Sequence, residues 1–195
     1  MKEIGFLAPL LLSLAFLAAC TSSDTPSNTP AAVPDALAAA NETSSQSLFG
    51  EAEDFVLQTL AGDSLRLSDL RGQVVLLNFW ATWCGPCIEE IPELIDLHNA
   101  LNPHGFSVVG VSMDVEGAEV VKPFAERFGI TYPLPLDTEA TVADSYGGVF
   151  ALPTTYVIDA EGQILQRVIG LFPVDQMRPE LRAMLDLPPM NNTSN

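Results

Sequence analysis

The segment that most restricts how this chain can fold begins at Val74. The seven residues to Trp80 are apolar except Asn78, and Ala81-Thr82-Trp83 then lead directly into Cys84-Gly85-Pro86-Cys87. A continuous apolar run of that length suits a strand covered on both faces, which requires a sheet with helices packed above and below it. Gly85-Pro86 and the stretch behind them read as the start of a helix running to about Leu101. A proline in a first turn gives up only an N–H that would have no partner inside the helix. A buried strand feeding a helix is one half of an alternating α/β domain.

The remaining pattern completes that domain. Phe55-Val56-Leu57 and Ser64-Leu65-Arg66-Leu67 flank the turn signal Ala61-Gly62-Asp63, which predicts a small hairpin. Phe106 to Ser112 reads as a second buried strand, Ala118 to Phe128 as a helix closed by Gly129, and Thr138 to Tyr146 as a short helix before Gly147-Gly148. Strands are expected at Thr154 to Ile158 and Ile164 to Ile169, paired antiparallel across Ala160-Glu161-Gly162. A helix from Val174 to Leu185 comes last. A β-α-β half followed by a β-β-α half predicts an α/β fold: a central mixed sheet, helices on both faces and an N-terminal hairpin.

The cysteine spacing carries the chemistry. At a helix start, unpaired N–H groups and the positive end of the dipole favour a thiolate, which makes Cys84 the expected nucleophile. Cys87 lies one turn further on the same side, placed to attack a mixed disulfide and release product. The competing readings are a static disulfide and half of a zinc site. So small a loop would constrain the unfolded chain little. Only His98 and His104 are present as further imidazole ligands, and neither has convincing spacing. Both histidines are read as surface residues. No metal and no cofactor are expected.

A third cysteine, Cys20, makes the count odd. Ile4 to Ala19 is apolar apart from Ser13, too short to span a bilayer and normal for the hydrophobic part of a secretory signal. It ends Leu17-Ala18-Ala19-Cys20, which resembles the lipobox of bacterial lipoproteins. That resemblance implies a signal peptide over 1–19 and acyl chains on Cys20. Residues 20–50 then form a lipidated tether, since Ser, Thr, Pro, Asn and Ala cannot bury enough surface to fold. Thirty flexible residues reach roughly 30 Å. The domain is expected over 51–187 and a disordered tail over 188–195. With 25 acidic against 8 basic residues the formal charge is −17. The excess survives removal of the signal, whose Lys2 and Glu3 cancel. Such a surface repels nucleic acid and anionic lipid headgroups, so neither is an expected partner.

Trp83-Cys84-Gly85-Pro86-Cys87 resembles the motif of thioredoxins, and Leu152-Pro153-Thr154 is similar to their cis-proline loop. Asn78-Phe79-Trp80 and Cys87-Ile88-Glu89-Glu90-Ile91-Pro92 resemble the TlpA/ResA branch, bacterial envelope thiol:disulfide oxidoreductases linked to cytochrome c maturation and oxidase assembly and related to the AhpC/TSA redoxins. The resemblance covers about Glu51 to Leu187. It implies a thioredoxin-like fold and a redox-active Cys84–Cys87 disulfide. It implies a cis Leu152–Pro153 bond with the Leu152 backbone open to a substrate strand, and Trp83 packing beside the thiolate. It also implies Glu90 as a proton shuttle. Helical phase agrees, because Glu90 stands three residues after Cys87 while Glu89 and Glu93 are rotated away. The expected partners are client proteins with cysteine pairs, a membrane electron donor and, through Cys20, a membrane; the expected state is a monomer in the periplasm or extracytoplasmic space. Two other activities fit the sequence less well. A thiol peroxidase would carry Thr where Ala81 stands, with an activating Arg nearby. A copper-binding assembly factor would use a C-x-x-x-C spacing that is absent.

Overall fold

The computed structural model describes residues 49–189. The expected signal peptide, Cys20, nearly all of the expected tether and most of the expected tail lie outside them.

The central sheet has four strands, β3 (Val74–Trp80), β4 (Phe106–Ser112), β5 (Thr154–Ile158) and β6 (Ile164–Ile169), in the order β4-β3-β5-β6. β3 and β4 are parallel, while β5 pairs antiparallel with both β3 and β6. The expected mixed sheet is therefore present. The hairpin is β1 (Val56–Gln58) with β2 (Ser64–Arg66), turned at Gly62, whose φ of +93° suits a residue without a Cβ.

Alternation along β3 divides the core. Val74, Leu76 and Trp80 pack with α1 (Gly85–Leu101), α2 (Ala118–Phe128) and α4 (Val174–Met184). Val75, Leu77 and Phe79 face the other way, onto α3 (Thr141–Ser145) and the hairpin. Every residue of β3 and β4 is buried, which is why both are mostly apolar, with Asn78, Ser107 and Ser112 the polar exceptions. Asn78 shares the parity of Leu76 and Trp80, so its amide points at α1.

The short helix α3 is narrower than the expected span from Thr138 to Tyr146. Buried Asp137 accepts hydrogen bonds from the N–H groups of Val142 and Ala143 at 3.2 and 2.9 Å, and Ala140 turns into the left-handed region. The residues before Thr141 thus form the cap of the helix and not its first turn. Another correction concerns His98. It is buried, not on the surface, and its Nδ1 accepts the N–H of Val108 at 3.2 Å. That N–H faces outward from β4, an edge strand. Its neighbours at Gly110 and Ser112 donate to the carbonyls of Pro133 and Pro135. His98 therefore satisfies one member of a row that would otherwise be left open.

Candidate active site

The chain leaves β3 at Trp80, turns through Ala81-Thr82-Trp83, and enters α1 with Cys84 as its N-cap. Cys84 and Cys87 form a disulfide, with Cα atoms 5.3 Å apart. The Cys87 N–H points at the Cys84 sulfur at 3.2 Å, as a first-turn donor should at an N-cap. Cys84 retains 5 % of its surface and Cys87 none. Cys84 thus lies nearly covered at the surface and Cys87 fully beneath it.

The turn before Cys84 is fastened by a residue that the sequence pattern did not single out. Asp114 is buried just beyond β4, and its carboxylate accepts the Thr82 N–H at 3.0 Å, the Thr82 hydroxyl at 2.6 Å and the Ser112 hydroxyl at 2.9 Å. The Met113 N–H donates to the Trp80 carbonyl in the same junction. Replacement of Asp114 by alanine strands these donors, for an expected loss of about 2–3 kcal/mol in urea denaturation. A loss below about 0.5 kcal/mol, typical of a surface change, would mean that water replaces the carboxylate without penalty.

Glu90 sits on the same helix with only 3 % of its surface accessible. Its Oε1 accepts from the Asn78 amide at 2.8 Å, and its Oε2 accepts from the Phe172 N–H at 2.9 Å. The Asn78 amide also donates to the Thr155 hydroxyl at 3.0 Å, which its register opposite Thr155 on β5 allows. One carboxyl thus joins α1, β3 and the loop before α4. Its pKa is raised from 4.5 to about 7, because burial outweighs the two hydrogen bonds that lower it and the charge of Glu93 adds to the rise. A carboxyl titrating near neutrality can both give and take a proton under working conditions. Its neighbour Glu89 is exposed, as helical phase required.

The Leu152–Pro153 bond is cis, and the buried Pro153 accepts the Gly170 N–H through its carbonyl at 2.8 Å. Among the described residues neither backbone group of Leu152 has a hydrogen-bond partner. Beside Cys84 lies a groove of about 520 Å³ walled by Trp83, Pro86, Met113, Val149, Phe150 and Leu152. The structure therefore brings Cys84, Trp83 and Leu152 together on one surface, with Cys87 and Glu90 covered.

A larger cavity of about 830 Å³ lies elsewhere, between the hairpin and the Gly129–Leu134 segment, and contains neither cysteine. No group of three or more potential metal ligands occurs among the described residues.

Comparison with known proteins agrees with this geometry. The AhpC/TSA family model matches residues 50–167. The thiol-disulfide oxidoreductase ResA of Geobacillus thermodenitrificans is 36 % identical over 143 residues, covering 73 % of this chain and 81 % of that one. A thiol:disulfide interchange protein of the thioredoxin family from Chlorobium tepidum superposes with a TM-score of 0.63 at 29 % identity, over 69 % of this chain and 95 % of that one. A secreted thiol-disulfide isomerase from Corynebacterium glutamicum gives a TM-score of 0.64 at 28 % identity, over 69 % and 85 %. With a cysteine pair at the start of a helix, a mixed central sheet and relatives of this kind, the chain belongs to the TlpA/ResA-like branch of the AhpC/TSA family and is a thiol-disulfide oxidoreductase of thioredoxin fold.

Proposed function

We propose that the protein reduces disulfides of envelope proteins while tethered to a membrane by lipid on Cys20. The observation that carries the reading is the cysteine pair at the edge of an uncharged groove, with a buried carboxyl of near-neutral pKa on the same helix. In the reduced protein Cys84 attacks one sulfur of a client disulfide, forming a mixed disulfide and expelling the client's other sulfur as a thiolate. Cys87 then attacks Cys84, releasing the second client thiol and restoring the Cys84–Cys87 bond. Two electrons pass to the client, and a membrane donor must return them. Glu90 takes the proton from Cys87 as it becomes nucleophilic, and Trp83 shields the outer sulfur. The unpaired Leu152 backbone beside Pro153 receives the client chain as an added strand.

The cellular setting rests on the sequence: a signal peptide over 1–19, a tether over 20–50, a domain over 51–187 working as a monomer outside the cytoplasm, and a tail over 188–195, whose first residue, Pro188, is held through its carbonyl by the Arg182 guanidinium. The clients fitting this setting are those of cytochrome c maturation or oxidase assembly, whose cysteine pairs must be reduced before a cofactor is inserted. Trapping tests it. Full-length chain carrying Cys87→Ser, expressed in its host, should hold a membrane-fraction client through Cys84, and the client peptide should contain two neighbouring cysteines. Recovery of cytoplasmic clients alone, or of protein without lipid at Cys20, would contradict it.

A chain beginning at Leu48 should fold and reduce insulin at the full-length rate, because it keeps the Gly50 carbonyl that accepts the Ile164 N–H and every strand of the described sheets. Circular dichroism and insulin turbidity measure this. An unfolded product would mean that residues 21–47 pack against the domain.

A further inference from the structure

Phe150 is the most open large apolar side chain among the described residues, with 91 % of its surface in solvent. It follows Gly147 and Gly148, whose φ angles of +79° and +80° bend the chain between α3 and the cis-proline. A Cβ at Gly148 would run into the Phe150 ring. The tip of the ring therefore lies over backbone that is accessible only because residue 148 has no side chain, and the rest of the ring stands open beside the groove. Trp83, 69 % exposed, lines the same groove next to Cys84.

Two further observations say what belongs between them. Among the described residues no charged one lines the groove, although the chain carries a formal charge of −17. Among the described residues, too, neither backbone group of Leu152 has a hydrogen-bond partner. An extended polypeptide can pair with Leu152, lay its sulfur at Cys84, and project neighbouring side chains alternately toward and away from the groove. Leaving a Phe and a Trp bare beside a reactive sulfur is unfavourable unless something apolar covers them.

We infer that Phe150, with Trp83, forms an apolar clamp that selects polypeptide clients carrying a large aliphatic or aromatic side chain within two positions of the reacting cysteine. The inference rests on the exchange reading above and adds its substrate class. Phe150 is a specificity residue in this account: it takes no part in the chemistry. In the selected reaction the client disulfide is reduced by two electrons as Cys84 and Cys87 are oxidised to their disulfide. The two protons they carried as thiols end on the client's sulfurs, and dithiothreitol renews the reduced pair in the assay.

The test uses the full-length chain and two synthetic peptides of equal charge and equal cysteine spacing, each closed by one disulfide. In one, leucine flanks the cysteines; in the other, serine does. The readout is the ratio of their kcat/KM values, in which a general loss of activity cancels. Wild type should favour the leucine peptide roughly ten- to a hundredfold, the range that one apolar side chain in an apolar pocket provides. Phe150→Ser should bring the ratio close to one, and Phe150→Leu should keep most of it. A wild-type ratio near one, or a Phe150→Ser ratio equal to wild type, would overturn the clamp while leaving the exchange chemistry intact. Failure of wild type to turn over hydroxyethyl disulfide as well would overturn both.

Discussion

Replacing Cys84 with serine is expected to lower insulin reduction by at least about a thousandfold, the scale on which loss of a covalent nucleophile acts. Cys84 is the one residue of the pair with any accessible surface, 5 % against none for Cys87. It also caps α1, where the free N–H groups of the first turn stabilise a thiolate. Cys87→Ser should fail differently. Turnover is lost, but the first attack survives, so a stoichiometric mixed disulfide accumulates on Cys84 and is visible by non-reducing electrophoresis. Serine at position 84 should trap nothing. If the Cys84→Ser protein formed the mixed disulfide and Cys87→Ser did not, the roles of the two sulfurs would be reversed.

Glu90→Gln should keep the fold and slow exchange roughly ten- to a thousandfold, within the 10²–10⁴ range that a positioned acid–base group typically contributes. Glutamine preserves the shape of the buried group and can still accept the Phe172 N–H, while a rotated Asn78 amide can accept its NH₂. What it cannot do is exchange a proton near pH 7. The wild-type carboxyl titrates there because burial outweighs its two hydrogen bonds. An anionic Glu90 also raises the thiol pKa values, so the variant should shift the Cys84 titration downward, with the two titrations coupled in wild type.

Stability gives an independent sign. The fold favours the neutral acid, so the contribution of this group is fully present below about pH 4.5 and is lost as pH rises through about 7. Glu90→Gln should flatten the pH dependence of urea unfolding between roughly pH 5 and pH 8. The exposed Glu89→Gln should do neither. If Glu90→Gln matched wild type in rate and in Cys84 titration, the proton would have to travel through water.

The strands and long helices were legible because their signals are local. β3 and β4 are buried on both faces and show it as mostly apolar runs, and α1 announces its start with Gly85-Pro86. Phase along α1 was also sufficient to place Glu90 inward. The same phase carried a signal that the surface reading of His98 passed over. Cys87, Ile91, Leu94, His98 and Leu101 recur at spacings of three and four, and all are buried. The residues that went unseen act through contacts between distant parts of the chain. Asp114 meets Thr82 across 32 positions and Phe172 meets Glu90 across 82, and the second contact is made by a backbone N–H that no side-chain pattern can mark. Phe150 lay in a loop with no period to read. Its place at the groove follows only once Pro153 turns the chain beside Cys84.

The most direct measurement is the rate of alkylation of each cysteine in the fully reduced protein across pH, read residue by residue by mass spectrometry. Cys84 should be labelled first at every pH, with a midpoint well below that of an ordinary thiol at about 8.5. Labelling of Cys87 before Cys84 would contradict it.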